Sequence, residues 1–476
     1  MLPTTTDRFG AIEDAGVEYL GEDARDSSPR NLGAVFLGAN LTGTNVVFGA
    51  FAILFGLSFW QTLTAMAVGI AVGTLAILPT AGISPRTGTN MTVSSGAFFG
   101  IRGRFIGSAL ALAIALGFAA VTVWTSGDAL VAAAHRMFGL PQTDVVRGIG
   151  YAVVAALMVT VALYGHATIV AMQKVVVPVV GALMILGVLA FAGSFQPGAT
   201  SGEYALGGFW PTWTLCAVLF AAAPISYGPT IGDYTRRISA QRFTDRQISI
   251  ALGAGMFVGV LLPSVFGAYT AMALTNPTDS YLDDLVAAAP GWYVAPIVVI
   301  SLLGGLSQGV LCIYASGLDL EGLTPRLKRT QTTVITAAIA IVLLYVGVFV
   351  FDAVGSVTAM TVVLNAVITP WIAVLAIGAL RHRRTGYDPV DLQAFAQGRR
   401  GGRYWFTNGW NVPAVAAWAT GALFGVLAVN TTLYIGPLAD IAGGVDLSTV
   451  GSAVLAGVVY VAAQALRRPA WTVATA

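Results

Sequence analysis

A chain of 476 residues with 56% hydrophobic residues, only 10% charged residues and a mean hydropathy of +0.79 cannot be an ordinary soluble protein, in which about 25% of residues are charged; it is a polytopic membrane protein. A net charge of +2 gives no reason to expect a nucleic-acid partner. Cys216 and Cys312 both lie in apolar runs and read as small core residues, and His135, His166 and His382 are scattered without metal-ligand spacing.

In chain order, residues 1–30 are polar and acidic and are expected to form a disordered cytoplasmic tail. An apolar span needs about 20 residues, and on that rule twelve are expected, near 33–56, 60–80, 104–134, 148–166, 172–193, 208–234, 248–274, 292–318, 332–351, 353–380, 411–433 and 447–465. With the N-terminus inside, only Arg136 and Arg147 of the 24 basic residues fall on the outer side. The outer loops instead carry Asp144, Glu203, Asp279, Asp283, Asp284, Asp440 and Asp446. This is the positive-inside pattern, with both termini cytoplasmic.

The first span contains Gly38, Asn40, Thr42, Gly43, Thr44 and Asn45 in its first half, too many small and polar groups for a lipid-facing anchor. Two readings fit: a helix that opens near the midplane, freeing carbonyls for a cation and N–H groups for a substrate, or a close helix contact made by small residues. The glycine-rich, polar stretch 81–103 would fold as a short amphipathic helix under the bundle. The sixth span holds Pro224, Ser226, Gly228, Pro229 and Gly232. Interior proline costs about 3 kcal/mol, so this span is expected to break, although a simple proline kink is the other reading. Two interrupted spans, five apart, are what two inverted five-helix halves produce, with the site at their shared midplane. The halves would cover about 31–193 and 208–380. The outer stretch 275–291 reads as acidic and turn-rich. The inner loop 381–410, with Arg381 to Arg384 and Tyr404, Trp405 and Phe406, reads as an interfacial anchor. Two peripheral spans (411–466) and a short tail (467–476) close the chain.

These residues resemble the nucleobase:cation symporter-1 family, the cytosine, purine, allantoin and hydantoin permeases. The resemblance covers roughly residues 30–410 and looks strongest to the purine–cytosine permease branch. It is carried by Asn40 with Gly56 to Gln61, Phe99 to Gly103, Leu116 to Trp124, Pro224 to Arg237 and Ser307 to Leu323. It implies an all-α membrane protein with ten core helices in a five-plus-five inverted repeat, similar to the leucine-transporter type, plus two peripheral helices. It also implies alternating-access uptake of a flat heterocycle coupled to Na⁺ or H⁺, with no other cofactor and with the lipid bilayer as its surroundings, in the plasma membrane.

By that resemblance Phe118 stands where the family commonly places a tryptophan that stacks on the substrate. Thr122, one turn on, can offer a hydroxyl on the same face. Ser226 matches a substrate-binding serine, and Tyr227 could supply the second ring where Pro224 replaces an aromatic. Gly304 occupies a position where some members carry a base-reading asparagine, which leaves room for a larger ligand. Ser307 matches the first of two hydroxyl residues that hold sodium with carbonyls from the first helix, and Gln308 replaces the second, weakening the sodium assignment. Ala39 and Thr42 would lie on the first-helix side of that cation site, and Asn40 and Gly43 would meet the substrate. Asn365, a polar group in an apolar run, can face the cavity or make an interhelical hydrogen bond. Asp128 is a membrane acid and so a coupling candidate, unless it sits near the outer interface. Asp233, beside Arg236 and Arg237, reads as a cytoplasmic gate or a helix-end ion pair. An amino-acid or amine symporter on the same fold remains an alternative, and an ion channel is a rival from another class. An enzyme finds no support, since no metal-spaced cluster or nucleophile motif is present.

Overall fold

The computed structural model describes residues 19–198, 203–274, 280–324, 327–351, 353–382, 386–395 and 397–466. The N-terminal residues 1–18, the tail 467–476, Asp279, Arg383 and Arg384 of the expectations above lie outside the described residues.

The elements follow the bilayer-length rule. The first span is two helices, α1 (Pro29–Asn40) and α2 (Gly43–Leu54), meeting at 56°. Then come α3 (Phe59–Ile77), the short α4 (Ile83–Thr87), α5 (Met91–Ser94) and α6 (Gly96–Phe99), and the long α7 (Arg104–Phe138). α8 (Asp144–Ala162) and α9 (Gly165–Phe191) complete the first half. The sixth span is α10 (Phe209–Ser226) and α11 (Ile231–Thr235), separated by four turn residues. α12 (Asp245–Ala271), α13 (Tyr281–Ala288), α14 (Val294–Leu323), α15 (Arg329–Phe349) and α16 (Ala353–His382) complete the second. α17 (Pro389–Leu392), α18 (Val412–Ala428) and α19 (Ser448–Leu466) follow. Among the described residues ten helices are long and apolar enough to cross a membrane, and the bent pair α1–α2 makes an eleventh. α18, at 17 residues, is at the lower limit of length for a span and lies where the eleventh was expected.

Several motif residues have plainly local causes. Gly56 has a φ of +96°, a conformation that favours glycine. Ser58 and Gln61 cap α3 reciprocally, the Ser58 side chain accepting from the Gln61 N–H and the Gln61 side chain from the Ser58 N–H. Gly100 has a φ of +91°; just beyond it, the Ile101 N–H donates to Tyr404 O (3.2 Å) and the Arg102 N–H to Gly409 O (2.8 Å). The 397–411 segment is thereby docked on the entrance to α7.

The two halves pack symmetrically. The broken first span lies against α12, and its counterpart, the sixth span, lies against α3. Both contacts are backbone-close at glycines: Gly255, Gly259 and Gly267 of α12 against α1 and α2, and Gly69 and Gly73 of α3 against α10. α7 and α14, at equivalent places in the two halves, pack on one another. This is the five-plus-five arrangement expected from the paired breaks.

Three local expectations are corrected. Residues 19–28 do not form a loose tail: the Leu20 N–H donates to Gly88 O (2.8 Å), the Ser27 N–H to Arg237 O (3.0 Å), and buried Arg25 to Pro85 O (2.7 Å). Stretch 81–103 forms three short helices, buried apart from the partly exposed Arg86, rather than one amphipathic helix. Tyr404 is buried and its hydroxyl accepts from the Asp388 N–H (2.9 Å), while the Arg102 guanidinium lies over the Trp405 ring (5.4 Å). Those two rings serve protein contacts; Phe406 remains exposed.

Candidate functional site

The break of the sixth span and the faces of α7 and α14 beside it line a small cavity, about 20 Å³, among whose lining residues are Phe118, Ser226, Tyr227, Thr230, Gln308 and Cys312. Phe118, Ser226, Tyr227 and Gln308 therefore meet in space, from α7, the end of α10 and α14. The remaining lining residues are apolar apart from Tyr234, and none is charged. The Tyr227 hydroxyl is buried without a hydrogen-bond partner, and its ring packs edge-on against Phe36 at 5.2 Å. Ser226 Oγ donates to Ala223 O (2.7 Å).

Thr122 is fully buried; its hydroxyl lies 2.7 Å from Phe118 O and 3.3 Å from Gln308 Oε1. Its one proton goes to the nearer Phe118 O, so the Gln308 amide stands beside Thr122 at the pocket rather than being held by it. Successive helical residues are turned by about 100°, so Gln308 and Ser307 face different neighbours. Ser307 Oγ lies 3.0 Å from Gly38 O and 2.9 Å from Gln173 Oε1 of α9.

The polar residues of the first span hold the break itself. Thr42 Oγ1 caps α2 by accepting from the Asn45 N–H (3.2 Å). Asn45 Nδ2 donates to Asn40 O (2.8 Å), satisfying a carbonyl that the break frees. Asn40 Nδ2 donates to Phe36 O (2.7 Å) and approaches Met256 Sδ (3.6 Å), so it faces α12 rather than the cavity. Ala39 is fully buried, and Gly43 faces Ser301 across to α14. Gly304 lies where a Cβ would strike Leu41 O and crowd Thr42 Cα; the missing side chain admits the broken backbone, not a larger ligand. Asn365 Nδ2 donates to Val218 O (3.2 Å), an interhelical bond between α16 and α10.

The two acids separate to opposite ends. Asp128 lies toward the C-terminal end of α7, where Tyr151 donates to it (2.6 Å) and Arg147 stands 3.9 Å away. Arg147 also pairs with Asp283 of α13 at 2.8 Å, and Arg136 donates to Val286 O of the same helix. The two basic residues that depart from the expected positive-inside pattern are thus the two that hold α13, the sequence signal by which that helix could have been found. Burial pushes the Asp283 carboxyl above the usual carboxylate range, and Arg147 opposes that shift. Arg147→Met is expected to raise hydrogen exchange across Tyr281–Ala288 only a few-fold, since a partly exposed pair contributes at most about 1 kcal/mol. Mass spectrometry of the exchanged protein checks this; unchanged exchange would show that Arg147 does not hold α13. Asp233 is buried in α11, close enough to buried Asp319 of α14 for the charges to interact. Sequence reasoning missed Asp319, which sits in a helix end that is polar anyway, and Gln173, which has no motif around it.

Residues 19–450 match the family model for permeases for cytosine/purines, uracil, thiamine and allantoin. The chain belongs to that permease family. YxlA of Bacillus subtilis (strain 168), whose name places it among purine–cytosine permeases, is 24% identical over 462 residues, covering 94% of this chain and 95% of its own. Mhp1, described as a nucleobase-cation-symport-1 family transporter, is similar in its closed conformation with bromovinylhydantoin bound (TM-score 0.72, 18% identity, 95% of this chain and 94% of that one). Its inward-facing conformation is equally similar (TM-score 0.71, 18% identity, 96% and 95%). A Na⁺-coupled sialic acid symporter shares the fold more distantly (TM-score 0.64, 11% identity, 95% and 92%). This permease is accordingly a multi-pass membrane transporter of the leucine-transporter-like fold, not an enzyme.

Proposed function

We propose that this permease imports a flat, neutral heterocycle of the nucleobase class by cation symport with alternating access. It would act in the plasma membrane with both termini cytoplasmic. The observation that carries the reading is the cavity at the break of the sixth span, with an aromatic face, an amide and hydroxyls around it and no charge. Phe118 offers a π-face for a ring. The Gln308 amide offers a donor and an acceptor side by side, the pattern that reads the edge of a base. An amino acid or amine would bring a charge that this lining leaves unpaired at high cost. An ion channel would have no use for a pocket closed down to about 20 Å³, room for about one water. A ring can enter only when the two halves move apart, which is what alternating access supplies.

Asn365, Asn40, Gly43 and Thr122 support the frame in this reading, and Phe118, Ser226, Tyr227 and Gln308 meet the substrate. The Asp128–Tyr151–Arg147 contacts belong to an outer closure and the buried Asp233 to an inner one. Uptake of radiolabelled cytosine into proteoliposomes, competed by adenine, hypoxanthine, uracil, allantoin and hydantoin, tests the proposal with and without a sodium gradient. Saturable uptake that one heterocycle blocks supports it and names the substrate. Failure of all six to enter or compete overturns it.

A further inference from the structure

The transporter reading above couples uptake to a cation, and beside the carbonyl end of α1 helix α14 contributes one hydroxyl, Ser307; its Ser301 lies farther along, against Gly43 of α2. Ser307 faces Gly38 O of α1, but its neighbour Gln308 is turned away beside Thr122 (3.3 Å) and lines the substrate cavity. The place beside Ser307 is taken by Gln173 from α9, a helix outside the first-span and α14 pair. Gln173 is 1% exposed. A Cβ at Gly38 would collide with its amide oxygen, so glycine at 38 is what lets the amide reach the break.

Three neutral oxygens converge: Gly38 O, Ser307 Oγ and Gln173 Oε1, with Ser307 Oγ 3.0 and 2.9 Å from the other two. A hydroxyl carries one proton. It can serve one of these acceptors, and the other contact is then oxygen against oxygen without a hydrogen between. The Gln173 Nε2 is also buried and, among the described residues, has no hydrogen-bond partner, so that among them Ser307 is the amide's one hydrogen-bonding contact. Turning the amide over would settle the Ser307 contacts but leave the amide oxygen itself buried and unpartnered. With the amide oxygen on Ser307 this cluster has oxygen to spare and lacks positive charge; with the amide turned over the spare oxygen is still on Gln173, buried and unpartnered among the described residues. No carboxylate belongs to it, so it can neither exchange a proton at neutral pH nor balance a divalent ion. Neutral carbonyl, hydroxyl and amide oxygens suit a hard monovalent cation.

We infer that Gln173 supplies the coupling cation with a side-chain oxygen from the fifth span, in place of the hydroxyl that α14 lacks, and that the ion is Na⁺. The inference rests on the transporter reading above and adds a ligand and an ion identity to it. It makes the fifth span part of the coupling: Na⁺ would tie α9 to α1 and α14, so that losing the ion frees three helices from one another.

The test uses the purified full-length permease without substrate. Its thermal midpoint is followed as NaCl replaces choline chloride at constant ionic strength. Wild type should be stabilised in a saturable way. Gln173→Leu, which keeps the bulk and removes the oxygen, should raise the half-saturating Na⁺ concentration by at least about tenfold, whereas Gln173→Glu should still bind. If Gln173→Leu does not fold, Gln173→Met has a similar length and the same two outcomes apply to it. A wild type indifferent to Na⁺, or a leucine or methionine variant that titrates like wild type, overturns the inference. Heterocycle uptake in the same preparations separates the two claims. Uptake without a sodium response removes the Na⁺ site and leaves the transporter. A sodium response with no uptake of any heterocycle leaves the site and removes the substrate reading.

Discussion

Leucine at Phe118 is expected to leave the permease folded and to cost it most of its apparent substrate affinity. The side chain is buried in α7 at the cavity, 4% exposed, one turn before Thr122. Leucine is of comparable bulk and equally apolar, so packing loses little, and volume-conserving swaps usually cost under about 1.5 kcal/mol. What leucine lacks is a π-face. Base–aromatic stacking is worth about 1–3 kcal/mol per base, so KM for uptake should rise by about 5- to 150-fold. Tryptophan at the same position should keep or improve affinity, provided the cavity opens to admit it. The check is a pair of measurements, the thermal midpoint and concentration-dependent uptake. A leucine variant with wild-type KM would reduce Phe118 to a core residue and remove the stacking partner from the proposed site.

Alanine at Gly267 is expected to do more damage than any single change inside the cavity, because it prevents the first span from seating. A Cβ there would overlap Val46 O, and one at Gly49 would overlap Ser264 O. The two glycines are reciprocal, each making room for the other helix's backbone. Overpacking a well-packed core costs about 1–3 kcal/mol and occasionally more. A rigid helix carbonyl cannot swing aside as a side chain can, so the upper end applies. Gly181 of α9 has nothing within 4 Å of its would-be Cβ. Alanine there should be neutral or gain up to about 1 kcal/mol in helix propensity. Extraction yield, monodispersity and thermal midpoint of the two variants make the comparison. A Gly267→Ala protein as stable as wild type would mean that α2 and α12 are free to move apart at no cost.

Both effects follow from one division of labour. The glycine contacts of α12 with the first span, and of α3 with the sixth, hold the broken helices by their backbones. The breaks therefore need few side chains of their own for support, and Ser226 and Tyr227 are left to face the cavity. The polar residues that remain in the first break, Thr42 and Asn45, close its loose ends. A polar cluster in an apolar span is thus partly the cost of breaking the helix and only partly a binding site.

How much of this the sequence determined follows from what a bilayer demands. Span positions and paired breaks were legible because lipid tolerates only long apolar helices, and because proline and clustered glycine cannot continue one. The direction of each span was expected from the same sequence, because basic residues avoid the outer side. Phe118, Ser226 and Tyr227 could be nominated for the substrate, and Gln308 beside Ser307 for the cation, only through the resemblance of their surrounding motifs to a family. The tertiary structure alone decided which way each of them turned. Ser307 and Gln308 are adjacent in the chain, yet one faces the first span and the other the cavity, since a helix rotates successive residues by about 100° and its seating against α1 and α7 fixes the origin of that rotation. Gln173 stands 134 positions from Ser307, in an apolar helix with no motif around it. Only the packing of α9 against α1 and α14, allowed by the absent side chain at Gly38, brings it to the break.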